Sequence, residues 1–246
     1  MYLENLVFDA VDPQRLGHFW AGALGLIPLT DEPDCFEGRL HVPNGPELDL
    51  CFQPVSAPPA EPLRLHLDLN GTEAVAPTPG AEQVDRLLSS GAQRCDLGQG
   101  AVPWTVLQDP ESNPFCVLDP RPEYAGSGPI AALPLQAHDV ELTAEFWHRL
   151  TGWVEAASRA PRALRHPSGR GPLLEFVPES RPKSRFAKNR MHLDLRLELG
   201  DDMEAAASLI KKLGGHEYDG GWGELPWRTF RDPSGNEICV LPAPKS

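Results

Sequence analysis

The feature that most constrains this 246-residue chain is that it says nearly the same thing twice. Residues 64–69 read R-L-H-L-D-L, and residues 190–195 read R-M-H-L-D-L. Pro103-Trp104 is answered by Pro226-Trp227, Asp109-Pro110 by Asp232-Pro233, and Asn113 by Asn236. Cys116-Val117-Leu118 returns as Cys239-Val240-Leu241, and Phe19-Trp20 returns as Phe146-Trp147. The offset shrinks from 127 residues at the Phe-Trp pair to 123 at the Asp-Pro pair, so the order of elements is kept while loop lengths drift. A collinear repeat of this kind marks a duplicated module and excludes a single unrepeated domain. The modules are expected to span 1–120 and 130–246, joined by the Pro- and Gly-rich linker D-P-R-P-E-Y-A-G-S-G-P at 119–129.

Local patterns supply the elements. Residues 2–9 read as a strand, and Asp12-Pro13 opens a helix with Asp12 as cap and Pro13 at the first position. Leu16, Phe19, Trp20, Ala23 and Leu24 form one apolar face, and Gly25 stops the helix. Strands follow at 36–42, 47–53 and 63–69, then a helix at 81–90 and a hairpin over 103–108 and 114–119. The second copy repeats this: strand 131–137, helix 140–151, strands at 163–166, 172–177 and 190–197, helix 201–213, hairpin 226–231 and 236–241. Each half therefore reads β-α-β-β-β with a further helix before its last hairpin. Strand and helix do not alternate as in a doubly wound parallel sheet, so the fold class is α+β.

Composition sets limits on partners. A net charge of −13 argues against a general nucleic-acid surface, which must neutralise phosphates with basic side chains. No apolar run approaches the roughly 20 residues that span a bilayer, so no membrane partner is expected. The opening M-Y-L-E-N-L-V-F lacks a basic n-region, and no signal peptide is expected. Five cysteines, odd in number and without C-x-x-C spacing, fit a reduced chain and a cytoplasmic location. Nothing fixes the assembly beyond monomer or homodimer.

Three stretches resemble a known family: D-P-x-x-L-x-x-F-W from Asp12 to Trp20, the H-L-D-L strand of each half, and D-P-S-G-N-E-I-C-V-L from Asp232 to Leu241. Together they resemble the vicinal oxygen chelate superfamily, in its glyoxalase-like and bleomycin-resistance-like members. The resemblance covers essentially the whole chain. It implies tandem βαβββ modules whose curled, barrel-like mixed sheets enclose a cleft, where members bind a divalent metal and a small oxygenated substrate or merely sequester a drug-like ligand.

Strand geometry identifies candidate residues independently of that resemblance. In H-L-D-L, His66 and Asp68 share one face of the strand and the leucines the other; His192 and Asp194 repeat the arrangement. A histidine beside a carboxylate serves as metal ligand, as general base, or as a satisfied structural pair. Glu175 in L-L-E-F-V joins His192 and Asp194 as a candidate in the second half, with Trp222 and Trp227 available to stack on a flat ligand. The run R-P-K-S-R-F-A-K-N-R at 181–190 either attracts an anionic group of the ligand or is a solvated loop. If one half is active, these features point to the second, with His192 and Asp194 catalytic and His66, Asp68, Glu175, Trp222 and Trp227 contacting ligand. A carboxylate-bearing, partly aromatic ligand would match.

Metal-dependent relatives place oxygen or imidazole ligands on the first and last strands of a module, where the resemblance puts Asn5, Ala132, Cys116 and Cys239. Expected, then, are no cofactor and no tightly bound metal. A divalent ion remains the alternative through Glu175, His192 and Cys239, whose mixed softness suits zinc better than magnesium, manganese or iron. The function expected is small-molecule binding; the alternative is a lyase, isomerase or dioxygenase-like enzyme using His192. No G-x-S-x-G elbow or phosphate loop suggests other chemistry.

Overall fold

A computed structural model describes residues 1–57, 63–71, 80–184, 186–220 and 223–244. The first sequence repeat contains β1 (Tyr2–Ala10), α1 (Pro13–Leu24), β2 (Ile27–Glu32), β3 (Cys35–Leu40) and β4 (Leu48–Pro54). It continues with β5 (Asp68–Asn70), α2 (Gly80–Ser89), β6 (Gln93–Arg94), β7 (Trp104–Gln108) and β8 (Pro114–Leu118). The second repeat opens with β9 (Ile130–Ala137), α3 (Val140–Thr151), β10 (Val154–Glu155), β11 (Arg162–Arg165) and β12 (Leu173–Pro178). It closes with β13 (Met191–Arg196), α4 (Met203–Lys212), β14 (His216–Glu217), β15 (Arg228–Arg231) and β16 (Glu237–Leu241). Each repeat thus resolves into two successive βαβββ units, four in all. The exposed strand β2 and the two-residue strands β6, β10 and β14 lack the apolar alternation that marks a half-buried strand, and the sequence reading passes over them.

The helix termini follow the predicted chemistry. Asp12 accepts a hydrogen bond from the Arg15 amide, Pro13 sits at the first turn, and Gly25 closes α1 with φ 70°. Asp139 and Asp202 cap α3 and α4 in the same way.

Strand pairing crosses the repeats. One sheet runs β14-β15-β16-β13-β1-β4-β3-β2, and the other runs β10-β11-β12-β9-β5-β8-β7-β6. Within each unit the first strand pairs in parallel with the fourth, as β1 does with β4 and β9 with β12. The units then join through antiparallel first strands: β1 with β13, and β5 with β9. Sheet A therefore combines the first and last units of the chain, and sheet B the two central ones.

One apolar core lies under both sheets, containing Phe8, Trp20, Phe36, Phe115, Trp147, Leu193 and Phe230. Trp20 and Trp147 are core residues, as their helix positions predict, and each has a polar duty as well. Trp20 Nε1 donates to Asp109 at 3.1 Å, and Trp147 Nε1 donates to Asp232 at 3.3 Å. Each aspartate also accepts backbone amides of its own turn, from Glu111 and Asn113 or from Ser234 and Asn236. The Phe-Trp and Asp-Pro-Asn signatures of each repeat are thus two ends of one buried hydrogen bond, which ties a helix over one sheet to a turn of the other.

Candidate functional site

The crossed pairing decides which candidates meet. On sheet B, β5 and its approach bring His66 and Asp68, β8 brings Cys116, and β12 brings Glu175. On sheet A, β13 brings His192 and Asp194, β16 brings Cys239, β1 brings Asn5 and β4 brings Cys51. Glu175 therefore does not join His192 and Asp194, although all three lie in one repeat. The expected second-half trio of Glu175, His192 and Cys239 is corrected accordingly. The cause is the antiparallel joint between repeats, which places each His strand beside the first strand of the other copy.

The two constellations repeat one geometry. His66 Nε2 stands 3.3 Å from Asp68 Oδ1, and His192 Nε2 stands 3.3 Å from Asp194 Oδ1. The leucines of both strands face the core, leaving His and Asp on the opposite face as the two-residue period requires. Cys239 Sγ is 3.5 Å from His192 Nε2, and Asn5 Nδ2 donates to Asp194 at 3.4 Å. In each set the His, Asp and Cys donor atoms lie within 4.8 Å of one another.

Their surroundings differ. His192 and Asp194 are sealed, with side chains 5% and 9% exposed, whereas His66 is 30% exposed. The His66 face opens into a cavity of about 430 Å³ lined by Asp68, Trp104, Cys116, Arg121, Tyr124 and Glu175. Tyr124 and Ser158 both donate to Glu175 Oε1, the tyrosine at 3.3 Å and the serine by a shorter bond. Burial pushes the Glu175 carboxyl above the ordinary carboxylate range and the Asp68 charge adds to this, against the opposing Ser158 and Tyr124 bonds. Burial, followed by the nearby aspartates, raises the thiols of Cys116 and Cys239.

Arg121, Tyr124 and Ser158 are absent from the sequence-based set. The first two lie in the linker, whose Pro-Gly composition signals a connection and nothing more. Yet that linker joins β8 to β9, both in sheet B, so it runs beside the cleft. Three cations of the basic run 181–190 are paired within the protein rather than free at a rim. Lys183 pairs with Glu237 at 2.6 Å, Lys188 pairs with Asp9, and Arg190 donates to the Glu111 carbonyl; Arg185 lies outside the described residues. Trp227 precedes β15 in sheet A, away from Glu175, and Trp222 also lies outside the described residues. Trp104, the counterpart of Trp227, is the tryptophan that lines the cavity.

The donor sets fit a metal of intermediate softness. Separations of 3.3 and 3.5 Å match ligand atoms around a tetrahedral ion with bonds of roughly 2.0–2.3 Å. Asp68 Oδ1 and Asp194 Oδ1 are each buried beside a histidine ring nitrogen at 3.3 Å but form no aligned hydrogen bond, leaving acceptors that a bound cation would satisfy.

Comparison with known proteins agrees with this architecture. Residues 5–118 and 132–241 each match the family model described as glyoxalase-like domain. The chain is similar in structure to glyoxalase I from Zea mays, with TM-score 0.66 at 15% identity over 98% of this chain and 92% of that one. It is also similar to the cppA protein of Streptococcus pneumoniae TIGR4, with TM-score 0.50 at 12% identity over 99% and 98%. At these identities the likeness concerns the fold alone. No curated protein matches the sequence.

Proposed function

Since the chain belongs to the glyoxalase-like domain family in both of its repeats, we propose that it binds a small organic molecule in the cleft of sheet B. The observation carrying this reading is the asymmetry between two otherwise equivalent constellations: His66, Asp68, Cys116 and Glu175 border a cavity of about 430 Å³, and His192 and Asp194 are sealed. That volume lies within the ordinary range of ligand pockets. His66, oriented by Asp68, is the group that accepts a proton or hydrogen bond from the ligand. Glu175, fixed by the hydrogen bonds it accepts from Ser158 and Tyr124, is the second polar group the ligand meets. Trp104 and Tyr124 supply apolar faces.

A second reading, a metal-dependent lyase, isomerase or dioxygenase-like enzyme, is favoured by the convergence of His66, Asp68 and Cys116. These three would hold the ion, which when bound supplies Lewis-acid polarisation of a ligand oxygen. The Cys116 thiol must lose its proton first, so loading weakens as pH falls.

A ligand screen by thermal shift tests the primary reading, because a compound that binds only the folded chain raises its melting temperature. His66→Ala and Glu175→Ala should abolish the shift of any hit, and His192→Ala should leave it in place. Loss at His192→Ala alone would refute the assignment to sheet B. Elemental analysis after chelator-free purification separates the two readings: near one zinc per chain, lost in Cys116→Ser, would establish the second.

A further inference from the structure

We infer that the sheet B cleft is built for a planar organic anion, a carboxylate on an aromatic or enolic frame, held by Arg121 and Trp104; this deepens the small-molecule reading above and rests on it. Arg121 lines the cavity. Its guanidinium lies 6.0 Å from the Trp104 ring centroid and 5.9 Å from that of Tyr124. Among the described residues it makes no hydrogen bond and no ion pair. Three buried or half-buried arginines show the engaged alternative: Arg64 with Glu179 and Asn236, Arg39 with Asp49, and Arg231 with Glu237. A guanidinium presents five N–H groups in a rigid fork that matches a carboxylate. Here the two rings hold that fork and none of its donors has an acceptor.

Trp104, which lines the same space, also carries an unsatisfied donor. Trp104 Nε1 is buried without an acceptor, which is rare for an indole N–H. Its counterparts in the core, Trp20 and Trp147, both have aspartate acceptors. The aromatic faces of Trp104 and Tyr124 favour a flat frame. Asp68, on the strand behind, would repel a negative charge placed against it, so the anionic end belongs at the linker side beside Arg121. Arg159 lines that side too, strongly exposed and 3.3 Å from Glu123. The whole chain carries −13, so attraction of an anion depends on these local cations.

The test is calorimetric titration of the full chain with 1-naphthoate and with its uncharged counterpart, 1-naphthamide. The unaltered protein should bind the carboxylate at least about tenfold more tightly, the scale of one charge-assisted hydrogen-bond pair. Arg121→Gln should abolish that preference while leaving naphthamide within about twofold, and Arg121→Lys, which keeps charge without the fork, should fall between. Trp104→Ala, which removes the aromatic face lining the cavity, should weaken both compounds severalfold. Equal affinities in the unaltered protein, or a preference that survives Arg121→Gln, would overturn the proposal. If both compounds bind equally and Leu118→Trp, filling the cavity, abolishes both, the cleft reading stands and the anion reading falls. Binding of neither compound would overturn the planar-anion proposal, and the thermal-shift screen decides the cleft reading separately.

Discussion

Arg64 offers the sharpest test of how the two sheets are held together. It stands two residues before His66, with its side chain 7% exposed. It donates to Glu179 Oε2 at 2.8 Å, Asn236 Oδ1 at 2.9 Å, the Gln136 carbonyl at 3.1 Å and the Ser234 carbonyl at 3.2 Å. Asn236 and Ser234 lie in the β15–β16 turn of sheet A, whereas Gln136 is in β9 of sheet B, so one guanidinium clamps both. Arg64→Met keeps much of the apolar stem and removes the charge, leaving Glu179, 9% exposed, without its main partner. Breaking a buried pair from one side costs about 3–5 kcal/mol. At about 2–4 °C per kcal/mol for a chain of this size, the melting temperature should fall by roughly 6–20 °C. Adding Glu179→Gln removes the stranded charge and should restore part of the loss. Urea unfolding followed by tryptophan fluorescence measures all four corners of the cycle. A cost under about 1 kcal/mol for Arg64→Met, or no recovery in the double variant, would refute the clamp.

Other outcomes follow from the same geometry. His192→Ala should lower stability by about 2–4 kcal/mol, because it strands the buried Asp194, while the more open His66→Ala costs less than half as much in the same assay. Gly17→Ala should destabilise by about 1–3 kcal/mol although alanine is the better helix former, since the added Cβ would stand 2.2 Å from Phe36 Cγ; thermal melts give the sign directly. Desolvation works to raise Glu237, but Lys183, the Asn189 amide and Arg231 outweigh it and hold the carboxyl below its usual 4.5. Its stabilising contribution is present above pH 4.5 and lost as pH falls through the lower folded value. The stability gap between the unaltered protein and Glu237→Gln should therefore narrow on acidification, and a gap that widens would contradict the sign.

Much of this protein is legible locally. The repeat, the helices with their Asp caps, the buried Phe-Trp pairs and the face shared by His and Asp all follow from spacing, because helix and strand periods act over a few residues. Arg121 and Tyr124 were not legible. They occupy a linker whose composition reports only that the chain turns there, and their meaning comes from the cavity they border. The Gly17 contact with Phe36 is equally invisible to helix propensity.

The partners of each strand are what the sequence left open. Backbone hydrogen bonds are alike for every strand, so β1 could satisfy its free edge with any complementary neighbour, and the repeat makes the two His strands nearly equivalent choices. The linear order suggests that Glu175 belongs with His192, seventeen residues on. Tertiary pairing of β5 with β9 and of β1 with β13 gives Glu175 to His66 instead. Local physics determined which side chains could do chemistry, and long-range strand exchange between the repeats determined which of them share a cleft.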